Sequence, residues 1–67
     1  MATGGSTYLY RDGVDYRVTA EATSTDGLFE LSVYCRRCGP AGGKYVPDLL
    51  LAREAEAIAA DHARRRR

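Results

Sequence analysis

The spacing of the apolar residues changes once along this chain, and that change limits the folds available to it. Residues 14–22 and 28–35 alternate apolar and polar side chains, which is the period-two pattern of half-buried β-strands. Residues 49–63 contain no Gly or Pro, are rich in good helix formers, and place apolar side chains on one helical stripe. Strands followed by a single helix predict an α+β fold.

Turn residues divide the first half of the chain into short antiparallel strands. The pair Asp12-Gly13 predicts a two-residue hairpin turn, because Gly tolerates the positive φ that such a turn requires. Residues 23–27 form a second turn cluster, and residues 39–43 are predicted to be a flexible, Gly-rich return. The predicted architecture is a three- to four-stranded antiparallel meander (sheet) with one C-terminal helix packed on it, with strands at 7–10, 14–22, 28–35 and a short fourth at 44–46.

The C-terminal helix is predicted to begin at Pro47 and Asp48. Pro lacks an N–H that the first turn leaves unpaired in any case, and Asp stabilises the positive end of the helix dipole. In a helical projection at 100° per residue, the apolar stripe that runs from Leu51 to His62 is predicted to face the sheet, and Leu49 lies on the outer side. The predicted core consists of Leu31, Val33, Leu51, Ala55 and Ile58, with Tyr16 and Val18.

The length of the chain allows only a thin core. A domain of 67 residues buries only about 60% of the surface that its unfolded chain exposes, and this one has one Phe and no Trp. Chains of this size commonly add a metal ion, a disulfide or a partner subunit, and a second copy would make a homodimer. The predicted organisation is a flexible N-terminus at residues 1–6, one domain at 7–63 and a basic tail at 64–67.

Two cysteines separated by two residues carry most of the chemical information. Cys35 and Cys38, followed directly by Gly39, have the spacing of a metal-binding turn in which both sulfurs point into one concavity. Three other interpretations stay open: a turn with two reduced thiols, a disulfide across a four-residue loop, and a redox dithiol. A redox dithiol is favoured by the neighbouring cations Arg36 and Arg37, but it lacks the helix N-terminus that such sites use.

The lengths of the predicted elements place His62 near this cysteine pair. If residues 44–46 return beside the third strand, the helix runs back toward the cysteines, and His62 lies about fifteen residues along it, roughly 22 Å. The third strand with its turn covers roughly 25 Å, so the two lengths match. Cys35, Cys38 and His62 are therefore predicted to meet and hold a zinc ion, while a charged histidine at the helix end is an equally open interpretation.

The arrangement of residues 28–63 resembles short zinc-ribbon-like and zinc-knuckle proteins of high-GC bacteria and their phages. The similarity lies in the meander, the Cys-x2-Cys-Gly turn and the Ala-rich helix with His62 near its end; nine Arg against one Lys also indicate GC-rich coding. The resemblance implies a second helical ligand one turn from His62, where this chain has Ile58 and Arg66. A water or a partner side chain would then be the fourth ligand, since Asp61 points about 100° away around the helix.

Charge is polarised along the chain although the net charge is only +1. Residues 1–34 sum to −3 and residues 35–67 to +4. The predicted helix direction gathers arginines near the two cysteines, at what we call the cysteine end, where they would attract phosphate or an acidic protein surface. The outward Tyr34, with Tyr8 or Tyr10, could stack on bases or on a protein, whereas a solvated basic tail is the alternative interpretation. The arginines are Arg36, Arg37, Arg64, Arg65, Arg66 and Arg67.

No group of side chains has the spacing of a catalytic site, so the sequence predicts a protein without enzymatic activity. Glu54 and Glu56, for example, lie on different faces of the helix. The favoured function is a zinc-knuckle-like binding module, an adaptor or regulator that contacts a protein or a nucleic acid through its basic end. The alternatives are a small inhibitor or accessory protein acting through protein contacts alone, and a dithiol redox protein. Without a secretory or membrane-spanning segment, a cytoplasmic location is expected.

Overall fold

The computed structural model describes residues 4–65 as one antiparallel sheet and one C-terminal helix. The strands follow each other in the sheet in chain order, each antiparallel to the next. This confirms the predicted α+β meander and sets the number of strands at four. The elements are β1 (Gly4–Arg11), β2 (Val14–Ala22), β3 (Leu28–Cys35), β4 (Gly39–Pro47), a 3-10 helix (Asp48–Leu50) and α1 (Leu51–Arg65).

The first two turns form as predicted. Asp12 and Gly13 have φ angles of 51° and 79°, the positive values of a two-residue hairpin turn between β1 and β2. The β2–β3 turn is closed by Thr23, whose hydroxyl accepts a hydrogen bond from the amide of Thr25 (3.1 Å) and whose amide donates one to the carbonyl of Leu28 (3.2 Å). Both turns are therefore specified by local sequence.

The prediction of a flexible return at residues 39–43 is wrong, because this Gly-rich stretch belongs to β4. The strand pairs with β3 along its length, with one residue, Ala41, left out of the register. Glycine is needed here because the helix lies close: a Cβ added to Gly42 would come within 3.0 Å of Cγ2 of Ile58. Close packing of α1 on the sheet therefore explains the glycine at position 42.

The ends of the chain differ in extent from the elements predicted for them. Residues 4–6 of the predicted flexible N-terminus lie in β1, and residues 1–3 lie outside the described residues. The helix predicted from Pro47 and Asp48 starts with the 3-10 turn Asp48–Leu50, and α1 begins at Leu51 and continues through Arg64 and Arg65 of the predicted tail. Leu49 is on the outer side as predicted, with 93% of its surface exposed. Within residues 4–65, no helix is long and apolar enough to cross a membrane.

The core lies between α1 and the inner face of the sheet, mainly against β3 and β4. The buried helical residues Ala55 and Ala59 are small, so the helix approaches the strands closely. Tyr16, Val18, Leu31, Val33 and Ala55 are buried as predicted, and Leu51 and Ile58 are partly buried against them. Buried apolar residues outside the predicted core, of which Ala59 lies on the predicted inward stripe, are Val14, Cys35, Val46, Ala59 and Ala63.

Candidate metal centre

The cysteine turn, from Cys35 to Cys38, joins β3 to β4. Cys35 is the last residue of β3 and is fully buried, whereas Cys38 lies in the turn and is exposed. The turn is tight because Gly39 adopts a φ of 103°, which strongly favours glycine. The amide of Arg36 donates a hydrogen bond to the carbonyl of Asp15 (3.1 Å), which ties the turn to the start of β2. Backbone structure therefore holds the turn in place.

The helix carries His62 to the cysteine turn. An imidazole nitrogen of His62 and the Sγ atoms of Cys35 and Cys38 all lie within 4.8 Å of one another. This approach depends on β4, which runs back along β3, so that α1 starts at the far end of the sheet and returns across its inner face. The three predicted ligands are close enough to bind one metal ion.

The chemistry of these donors favours a zinc-like ion. Thiolates and imidazole nitrogen are the usual ligands of zinc, whereas calcium and magnesium prefer oxygen. Ligand atoms around a tetrahedral zinc ion are about 3.5–3.8 Å apart, so movements of about 1 Å would bring these three onto one ion.

Tyr16 orients His62 in addition to filling the core. The two rings meet edge to face, with their centroids 5.8 Å apart and their planes at 89°. Tyr16 lies directly opposite Cys35 in the β2–β3 register, so strand pairing brings it to the site. Tyr16 is predicted only as a core residue. Its link to Cys35 could have been found by counting strand partners outward from the turn at residues 23–27, which pairs residue 16 with residue 35.

One nitrogen of His62 is buried without a hydrogen-bond partner among residues 4–65. This nitrogen, Nε2, is shielded from solvent. Leaving a buried polar atom unsatisfied costs about 1–3 kcal/mol, and coordination of a metal by this nitrogen would remove that cost. A charged histidine at a helix end, the alternative interpretation of the sequence, would be expected to expose its ring nitrogens. The burial of Nε2 therefore favours the role of a ligand.

Asp61 lies next to His62 in sequence but is not part of the group. Its carboxylate accepts a hydrogen bond from Arg64 (2.8 Å) and pairs with Arg65 (3.1 Å). The hydrogen bond from Arg64 and the charge of Arg65 lower the pKa of Asp61. The part of the chain that the structure describes thus offers three ligand atoms here, and the exposed Cys38 marks the side that is open to solvent.

The arginines at the cysteine end are neutralised to different degrees. Arg64 and Arg65 share one carboxylate on α1, and Arg36 lies 3.8 Å from a carboxylate on β2 with 80% of its side chain exposed. Arg37 is exposed and pairs with no acid among the described residues. All four flank ligands of one group, so they lie at the same end of the molecule. Residues 66 and 67, also predicted to bind a partner, lie outside the described residues.

Comparison with known proteins assigns no family to the chain. No family model, no curated protein and no solved structure matches it. The likeness of residues 28–63 to zinc-ribbon-like proteins therefore remains a resemblance.

Proposed function

We propose that this protein is a small, non-enzymatic binding module whose fold is fastened by a zinc ion bound to Cys35, Cys38 and His62. The observation that supports this proposal is the approach of three ligand atoms, from two separate elements, to within 4.8 Å. A metal ion at this point would join the end of β3 to the last turns of α1.

A metal ion would strengthen the C-terminal part of the helix, where the buried residues are small. Toward its C-terminus α1 packs on the sheet through Ala59 and Ala63, which bury little apolar area. An ion bound by residues 35 and 62 closes a long loop, and its binding free energy adds to folding free energy because the unfolded chain has no preformed site. The thin core of this short chain makes such a contribution important.

The surroundings of the cysteines favour a metal ligand over a redox dithiol. Cys35 is fully buried at the end of a strand, whereas a reactive thiol needs access and a stabilised thiolate. The helix approaches the cysteine turn with its C-terminal end, whose negative dipole favours a cation and disfavours a bare thiolate. The neighbouring acids, Asp15 and Asp61, pair with arginines, which supports the proposal that no general base acts here.

The exposed arginines would give the module its binding surface. Arg36 and Arg37 lie between the two cysteine ligands, so a metal ion would hold the turn that carries them in one conformation. Preorganised guanidinium groups bind carboxylates and phosphates more tightly because less conformational entropy is lost on binding. The cysteine end is therefore proposed to contact an anionic partner.

Native mass spectrometry of the purified protein, before and after a strong chelator, tests the zinc site. We expect one zinc ion per chain and an unfolding temperature that falls by more than about 10 °C when zinc is removed. One zinc ion shared by two chains would keep the ligand set and make the protein a homodimer. Absence of zinc after reconstitution, with unchanged melting, would overturn the proposal.

Two substitutions make this test specific. Cys38→Ser removes an exposed ligand without opening a cavity, so its loss of zinc cannot be attributed to a damaged core. Asp61→Asn is the matched control, because Asp61 is adjacent to His62 but outside the ligand group. We expect Cys38→Ser to lose stoichiometric zinc and Asp61→Asn to retain it; the opposite pattern would show that the ligands are assigned wrongly.

A further inference from the structure

The face of the sheet opposite the helix carries a row of aromatic and cationic side chains. Tyr8, Arg17 and Tyr34 are direct cross-strand neighbours on β1, β2 and β3, and we call them the outer row. Tyr8 is 74% exposed and Tyr34 is 45% exposed. The guanidinium carbon of Arg17 lies 5.6 Å from the centre of the Tyr34 ring. The outer row is therefore an ordered, solvent-facing surface of rings and positive charge.

The charges on this face are separated along the strands. Beside the outer row, at the cysteine end, are Tyr10, which is 73% exposed, and Arg36. A shallow depression of about 450 Å³ lies between the outer row, Arg36 and Asp15, the acid that pairs with Arg36. At the other end of the same face, Glu21 and Glu30 lie opposite each other on β2 and β3. A polyanion would be attracted to the first region and repelled from the second.

We propose that the outer row binds a single-stranded nucleic acid, with bases stacked on Tyr8 and Tyr34 and the phosphodiester backbone contacted by Arg17 and Arg36. Exposed aromatic rings beside guanidinium groups on a sheet face have the chemistry that single strands require. Neighbouring strands are about 4.8 Å apart, so the two tyrosines are separated by roughly 10 Å, a distance that two to three nucleotides span.

Other anionic partners would use only part of this surface. A duplex keeps its bases stacked inside, so Tyr8 and Tyr34 would have no base faces to contact. An acidic peptide would pair with Arg17 and Arg36 but would gain nothing specific from the two rings. A single strand offers both π-faces and phosphates, and it therefore matches both kinds of side chain in the row.

This inference rests on the proposed function, because it names the ligand of that binding module, but three of its four contact residues, Tyr8, Arg17 and Tyr34, lie outside the cysteine turn. No residue of the outer row belongs to the ligand group, and Cys35, next to Tyr34, points to the opposite face. If Cys38→Ser remains folded without zinc and still binds single strands, the row acts independently of the site. Failure of the zinc proposal and failure of this one can therefore be distinguished.

Fluorescence anisotropy with labelled oligonucleotides tests the proposal. The probes are single strands of oligo(dT) and oligo(U) of about 12 nucleotides and a duplex of the same length, measured between about 50 and 200 mM salt. We expect at least about tenfold tighter binding of the single strands than of the duplex. Comparing oligo(dT) with oligo(U) shows whether DNA or RNA is preferred, and either preference supports the proposal.

Substitutions in the row separate stacking from charge. Tyr8→Thr and Tyr34→Thr keep a residue that favours strands, and each is expected to weaken single-strand binding by about 5- to 100-fold. Arg17→Gln is expected to lower the dependence of log K on log salt by about one. Tyr45→Thr is the matched control, because Tyr45 is 62% exposed on the same face but lies opposite Glu30, at the acidic end. The affinity of this variant for single strands is expected to stay within about twofold of that of the unsubstituted protein.

Four results would overturn the proposal. The first is equal affinity for duplex and single strand, and the second is an equal loss of binding in Tyr45→Thr. The third is tighter binding of a labelled oligoglutamate peptide, which would indicate a protein partner. Replacement of residues 64–67 by Ser is expected to weaken the binding of single strands and duplex to the same degree. In that background Tyr8→Thr and Tyr34→Thr should still weaken single-strand binding, and disappearance of their effects would also contradict the role of the outer row.

Discussion

The two ends of the sheet are held together by different means. At the end with the β2–β3 turn, Thr23 closes the turn through its own hydrogen bonds, and Lys44 on β4 pairs with Glu54 on α1 at 2.8 Å. At the cysteine end, α1 meets the sheet through Ala59 and through His62, whose Nε2 is buried without a hydrogen-bond partner among residues 4–65. At the first end, side chains of the protein make the stabilising contacts with each other. At the cysteine end, three donor atoms lie close together, and a bound cation would link them.

The largest effect should come from breaking the cysteine end. Removal of zinc by a chelator, or Cys38→Ser, is expected to lower the unfolding temperature by more than about 10 °C, because metal binding contributes directly to folding free energy. Ser24→Ala, an exposed substitution at the other end, is expected to change stability by less than about 0.5 kcal/mol. Circular dichroism melts of the unsubstituted protein, Cys38→Ser and Ser24→Ala measure these changes. If a chelator still destabilised Cys38→Ser, the assignment of the zinc site would be contradicted.

A cavity in the middle of the core should weaken both ends without affecting the metal. Leu31 is fully buried between the sheet and α1, so Leu31→Ala is expected to lower the free energy of unfolding by about 2–5 kcal/mol. Urea denaturation in excess zinc measures this loss, and native mass spectrometry should still find one zinc ion per chain. Loss of zinc from the folded variant would show that the core and the ligand group are not separate.

The glycines of β4 and β1 should respond differently to an added methyl group. A Cβ on Gly43 would lie 2.7 Å from the carbonyl oxygen of Leu31, so Gly43→Ala is expected to cost about 1–3 kcal/mol through displacement of backbone. Gly5 has nothing within 4 Å of such a Cβ, and Gly5→Ala is expected to be neutral or to stabilise by up to about 1 kcal/mol. Equal effects in urea denaturation would refute close packing of β4.

The smallest effect should come from the ion pairs that attach α1 to the sheet. Glu54→Gln is expected to cost about 0.5–1 kcal/mol, because its pair with Lys44 is short and Glu54 is only 25% exposed. Glu56→Gln should cost less, since its pair with Arg11 is longer, at 3.1 Å, and Glu56 is 55% exposed. Thermal melts at low and high salt test this order, and an effect of Glu56→Gln larger than that of Glu54→Gln would reverse it.

Short-range patterns were sufficient to predict β2, β3 and the first two turns. β2 and β3 occupy the residues that alternation predicts, 14–22 and 28–35, and Asp12-Gly13 adopts the expected positive φ angles. These features depend on neighbours one or two positions away, which the sequence displays directly. The direction of the helix followed from matching element lengths, and it brought Cys35, Cys38 and His62 together.

Long-range packing was not visible in the same way. Residues 39–43 have the composition of a loop, but they form a strand because they pair with β3, and Ile58 lies against Gly42. Arg17 contacts Tyr34 because the register of β2 on β3 places them opposite each other. A shift of β2 by one residue relative to β3 would remove this contact. The composition of a segment indicates its local backbone preference. It does not indicate which residue, distant in sequence, packs against that segment.

By itself the sequence determined the periodicities, the turn residues and the chemical types of the ligands, because each depends on adjacent side chains. Only the tertiary structure decided that β4 extends from Gly39 to Pro47, that Tyr16 meets His62, and that the three ligand atoms come within 4.8 Å. Those distances depend on strand register and on how closely Ala59 and Gly42 let the helix approach the sheet. Both are properties of the packed chain, in which residues far apart in sequence share one volume.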